Sequence, residues 1–177
     1  YREYIVNSQM ATVFSSITPM QRAVETNVAR FGETWLTGAN AVACAGTSSC
    51  MQRNYGLRAA PDADVIDGIT SVAYVTSAQA INDISETCDG FDLAPPAAAD
   101  LAVATPIITI DIVFSEDIDA DVDGTLKLFP VVGVSGQSTS WLAAVPLTTA
   151  GTLGAGTDLA GVACKWIHEN INSDFAS

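Results

Sequence analysis

The sequence predicts an α+β domain: a long N-terminal helix packed on an antiparallel sheet of about four strands. Three observations lead there. Apolar residues recur at helical spacing through the first 31 positions. Beyond residue 65 the pattern changes to short, alternating, β-branched runs. With 177 residues, 49% hydrophobic and 15% charged, the chain matches one ordinary domain with enough apolar matter for its own core.

Val6, Met10, Val13, Ile17, Met20, Val24, Val28 and Phe31 recur every three or four positions, forming one continuous stripe on a helix. Pro19 falls inside the stripe, where it removes a hydrogen bond and bends the axis. Thr18 as N-cap, Pro19 as first helical residue and Gln21 closing a capping box would soften the fault. The stripe stays in phase across Pro19, which favours one kinked helix over two. Gly32 ends it.

The single domain divides into four parts. Residues 1–32 are the helix, and residues 33–65 are a connecting loop holding Gly38, Gly46, Gly56 and Pro61. Residues 66–147 form the antiparallel sheet, and residues 148–177 a C-terminal loop and tail. Ile69–Thr76 is β-branched and includes Tyr74. Ile108, Ile110, Ile112 and Phe114 alternate with Thr109, Asp111, Val113 and Ser115, as in a half-buried strand. Leu126, Leu128 and Val132 mark a third strand, with Pro130 at an edge or strand end. Trp141–Val145 is a fourth. An acidic turn, Ser115–Gly124, joins the second and third. Residues 77–105 and 148–161 read as excursions, and residues 162–177 as a short strand or helix with a tail.

Twenty acidic residues against seven basic ones give a net charge of −13. That sign excludes binding to nucleic acid or an anionic bilayer by charge alone. The five arginines all lie in the first 58 residues, against three glutamates; the other 17 acids face only Lys127 and Lys165. This asymmetry reads as a packed stem with a solvated acidic body. The chain begins at Tyr1 and contains no apolar run of about 18 residues, the length that spans a bilayer. The expectation is a processed or trimmed product. Cys44, Cys50, Cys88 and Cys164 form no C-x-x-C pair, and one histidine is too few for a zinc site. Two disulfides in an oxidising compartment are expected, for example Cys44 with Cys50 and Cys88 with Cys164, with all three connectivities open.

Asp119, Asp121 and Asp123 before Gly124 read D-x-D-x-D-G, the front half of a calcium loop. Pro130 stands at the twelfth position, where a bidentate glutamate is needed, so these are weak calcium candidates beside the plainer reading of a solvated hairpin tip. Otherwise no metal or cofactor is expected. His168 lacks a G-x-S-x-G elbow, and Gly151–Gly156 lacks the lysine and helix of a phosphate loop. The expectation is a protein that is not an enzyme.

Tyr1 and Tyr4, then Asn7-Ser8-Gln9, then Ile17-Thr18-Pro19-Met20 and Glu25 resemble a type IV pilin just after its membrane-spanning half-helix. Ile107–Phe114, Thr125–Val132 and the Trp141 segment resemble the strands of that family's head. The family's apolar N-terminal segment, with its glutamate, is absent, as in a soluble portion of such a subunit. Only Cys164 lies near the end, where many members close a loop with two cysteines.

The resemblance implies the structural subunit of an extracellular pilus, held in the inner membrane through that N-terminal segment before assembly. It implies partners that are copies of itself and the pilus assembly machinery, with no specific nucleic acid. Adhesion, twitching motility, biofilm formation and DNA uptake are the functions it implies. Ser177 is a candidate glycosylation position on the same ground alone. The competing readings are a minor pilin, a type II secretion pseudopilin and a free-standing secreted binding domain.

Overall fold

The in-phase stripe of the first 31 residues folds as one helix, α1 (Arg2–Phe31), with Pro19 inside it. The computed structural model describes residues 1–37, 66–77, 81–83, 107–115, 118, 122–132, 139–146, 158–159 and 161–171. Seven of the eight expected stripe residues, Val6 through Val28, are buried, and Phe14 joins them. Phe31 is exposed instead. It lies one turn beyond Val28, the last buried position, and Arg30 covers its ring, with the guanidinium 5.4 Å from the centroid. Gly32 ends the helix at φ +82°, its N–H donating to the Val28 carbonyl at 2.8 Å.

The capping box expected at Thr18 does not form. A cap needs non-helical dihedrals at that residue, whereas the stripe on both sides of Pro19 belongs to one core and keeps the helix unbroken. The Thr18 hydroxyl donates to the Phe14 carbonyl at 3.0 Å. Pro19 leaves the Ser15 carbonyl without its helical donor. Ser15 faces solvent, so water can supply one.

A short helix, α2 (Thr34–Thr37), follows and buries Trp35 and Leu36 against α1 and the sheet. The strands are β1 (Ile69–Ser77), β2 (Ile81–Asp83), β3 (Ile107–Phe114), β4 (Val122–Val132), β5 (Thr139–Pro146) and β6 (Asp158–Leu159). Helix α3 (Gly161–Asn170) closes the described chain. The sheet order is β1-β3-β4-β5-β2, every pair antiparallel, and β6 pairs with the first residues of β4. The four expected strands are β1, β3, β4 and β5. The segments read as excursions also contribute β2 and β6, which at three and two residues are too short to show a period. The C-terminal alternative resolves as a helix.

Register places Tyr74, Ile110, Leu128 and Ala143 in line across the sheet. With Val72, Ile112, Leu126 and Trp141 they form one apolar face. A hydrogen bond from Trp141 to Glu25 of α1 sets that face under the helix. The opposite face was expected to meet solvent, yet Ile107, Thr109, Lys127, Phe129 and Leu142 are buried there too. The β3–β4 ladder stops at Ile110 and Leu128. Pro130 lies beyond it, where β4 pairs only with β5, so its missing N–H costs no ladder bond to β3.

Two glycines mark the turns around β3. Gly68 sits at φ +88°, where a Cβ would stand 2.0 Å from Ile118 Cγ1, and its carbonyl accepts the Ser115 N–H at 3.0 Å. Gly124, at φ +87°, is the register partner of Phe114. The acidic turn is therefore shorter than expected, because β4 begins at Val122 and includes Asp123.

Candidate functional site

Among the described residues no group of three metal-ligating side chains occurs. What they offer is a helix with two different long faces. One face is the buried stripe. The other carries Tyr1, Tyr4, Ile5, Ser8, Ala11, Thr12, Ser15, Arg22 and Thr26, all exposed. Tyr1 and Tyr4 are 99% and 74% exposed, so the helix presents two aromatic rings and Ile5 in its first turn.

Between Glu3 and Arg22, α1 carries no charged residue. Its hydroxyls bond back to the helix itself. Thr12 donates to the Ser8 carbonyl at 3.0 Å, and Ser15 and Ser16 each donate to the Thr12 carbonyl at 2.9 Å. Thr26 does the same to Arg22 at 2.8 Å. A hydroxyl satisfied this way loses little when an apolar surface covers it, unlike a lysine or glutamate. The uncharged stretch of the outer face is thus suited to burial against another helix.

Two side-chain contacts fix α1 to the body. The Trp141 indole N–H donates to Glu25 Oε1 at 2.9 Å, while Arg22 of the same helix holds Glu25 Oε2 at 3.3 Å. Nearer the start of α1, the Phe14 and Trp166 rings meet with centroids 5.3 Å apart and planes tilted by 33°, docking α3 on α1. In the Asn7-Ser8-Gln9 element, Asn7 Oδ1 and Gln9 Oε1 are buried without a hydrogen-bond donor.

The sequence-predicted sites separate rather than converge. Asp119 and Asp121 lie outside the described residues. Asp123 is in β4, where its register partner is Asp158 of β6; its side chain is not described. Cys44, Cys50, Cys88 and Ser177 also lie outside the described residues. Cys164 and His168 are on α3 with side chains outside the description.

Sequence reasoning missed a buried polar cluster on the second sheet face. Lys127, 4% exposed, places Nζ 2.5 Å from Asp111 Oδ2, and Thr109 donates to Asp111 Oδ1 at 2.9 Å. The available signal was one charge in each of two apolar runs, Ile110-Asp111-Ile112 and Leu126-Lys127-Leu128, on consecutive long strands.

Among the described residues, no helix is long and apolar enough to cross a membrane. No protein-family model, curated protein or solved structure matches the chain.

Proposed function

We propose that this chain is a structural subunit of a type IV pilus filament, whose α1 helices bundle along the filament while the sheet domain covers its surface. The observation that carries this reading is the division of α1. Its inner face is consumed by its own core from Val6 to Val28, while its first turn leaves Tyr1, Tyr4 and Ile5 uncovered. A helix serving only its own domain has no use for exposed aromatics ahead of an uncharged, self-satisfied face.

The role is mechanical rather than catalytic. Partners are further copies of the chain and the machinery that assembles them, and the place of work is outside the cell. Adhesion, twitching motility, biofilm formation and DNA uptake are what such a filament supports. The acidic body keeps neighbouring fibres apart by like charge.

The test is peptide sequencing and intact mass of the subunits sheared from the surface of producing cells. Recovery of this chain as the dominant subunit, preceded by an apolar segment with a methylated N-terminus, is expected. Absence from sheared filaments, with the chain present in culture fluid alone, would overturn the reading in favour of a free-standing secreted domain.

A further inference from the structure

We propose that Lys127 and Asp111 become joined by an intramolecular amide bond that forms on folding, without a second protein. The two residues are direct register partners on β4 and β3. Nζ lies 2.5 Å from Oδ2, below the about 2.7–2.9 Å usual for an ammonium–carboxylate contact. That separation leaves Nζ no more than about 3.7 Å from the Asp111 carboxyl carbon, given ordinary carbonyl bond lengths. The side chains are 5% and 14% exposed, so the pair is largely shielded from the water that would compete for the carboxyl or hydrolyse the product.

The surrounding atoms divide the chemistry between the two carboxylate oxygens. Oδ2 faces the ammonium and takes a proton from Nζ, leaving a neutral amine beside a carboxylic acid. The Nζ lone pair then attacks Cγ, forming the C–N bond and moving charge onto Oδ1. That oxygen already accepts the Thr109 hydroxyl at 2.9 Å, and Thr109 is fully buried, so the donor is in place before the charge develops. A second proton passes from Nζ to Oδ2, the Cγ–Oδ2 bond breaks and one water leaves. No oxidant, reductant or metal is needed, and fixing the two groups in register supplies the effective concentration that free amines and carboxylates lack. The bond would tie the central strands of the sheet side chain to side chain.

The test is the intact mass of the folded full-length chain, taken after reduction and denaturation. The chain without substitutions is expected to weigh one water less than its sequence, and digestion is expected to release one branched peptide joining residues 111 and 127. Asp111→Asn removes the carboxylate oxygen that takes the Nζ proton, leaves the amine protonated, and is expected at the full mass of its sequence. Lys127→Arg, which keeps the charge, is expected at full sequence mass. Full sequence mass for the folded chain without substitutions overturns the proposal and leaves an ion pair. Loss of water without the branched peptide overturns it as well, since cyclisation at Asp67-Gly68, Asp89-Gly90 or Asp123-Gly124 gives the same mass.

Discussion

The Glu25 carboxylate ties α1 to the sheet by accepting the Trp141 indole. Trp141 is 8% exposed, so removing the acceptor strands a buried N–H. Glu25→Ala is therefore expected to cost about 1–3 kcal/mol, the penalty of an unpaired buried donor. Trp141→Phe removes the donor as well as the bond and is expected to cost less than Glu25→Ala on that account. A double-mutant cycle read by urea unfolding checks this; a coupling near zero would sink the idea that this bond fixes the helix on the sheet. A harsher outcome is expected at Gly68. Alanine there meets both a positive φ and a contact of 2.0 Å with Ile118 Cγ1. Gly68→Ala is expected to lose about 3 kcal/mol or more. Truncating Ile118 to alanine in the same chain should recover part of that loss by removing the clash but not the dihedral strain.

At the scale of elements, Pro19 is the feature the core tolerates without profiting from it locally. Its ring withdraws the bond to the Ser15 carbonyl on the exposed side of α1, while Ile17 and Met20 beside it stay fully buried. Pro19→Ala restores that bond and helix propensity, and is expected to stabilise the domain by about 1–3 kcal/mol. The rise would appear in the thermal midpoint; a fall would mean that the core depends on the proline. The helix was legible because eight apolar residues in phase admit only one periodicity, and the long strands because Ile107–Phe114 and the runs around it are β-branched and alternating. Phe14 was not, since it stands one position from Val13 and has a reason to turn inward only once Trp166 arrives from α3, 152 residues later. Thr109 and Asp111 were read as the outer side of a half-buried strand, and Lys127 only as one of two cations in the acidic part, because alternation reports which residues share a face and not whether that face is covered. Tyr1, Tyr4 and Ile5 stand ahead of Val6, where the stripe begins, and they are exposed.

For the whole molecule, the governing quantity is a net charge of −13 spread unevenly along the chain. All five arginines precede residue 59, and the rest of the chain has two lysines. Lys127 is engaged inside the sheet by Asp111, and Lys165 lies 4.0 Å from Glu169 on the surface of α3. The acidic body therefore has almost no solvated cation of its own, and folding gathers like charges that the unfolded chain keeps apart. Electrolyte should relieve this, because the screening length falls from about 30 Å at 0.01 M to about 3 Å at 1 M salt. The thermal midpoint is expected to rise by about 3–6 °C between those concentrations, as about 1–2 kcal/mol of relieved repulsion would produce in a domain of this size. Sodium and potassium chloride should act alike, since screening depends on ionic strength and not on the identity of the ion. A midpoint that stays flat or falls with both salts would refute repulsion as a limit on stability. A rise obtained with millimolar calcium at constant ionic strength would have a different cause, a bound cation, and would return attention to Asp119, Asp121 and Asp123.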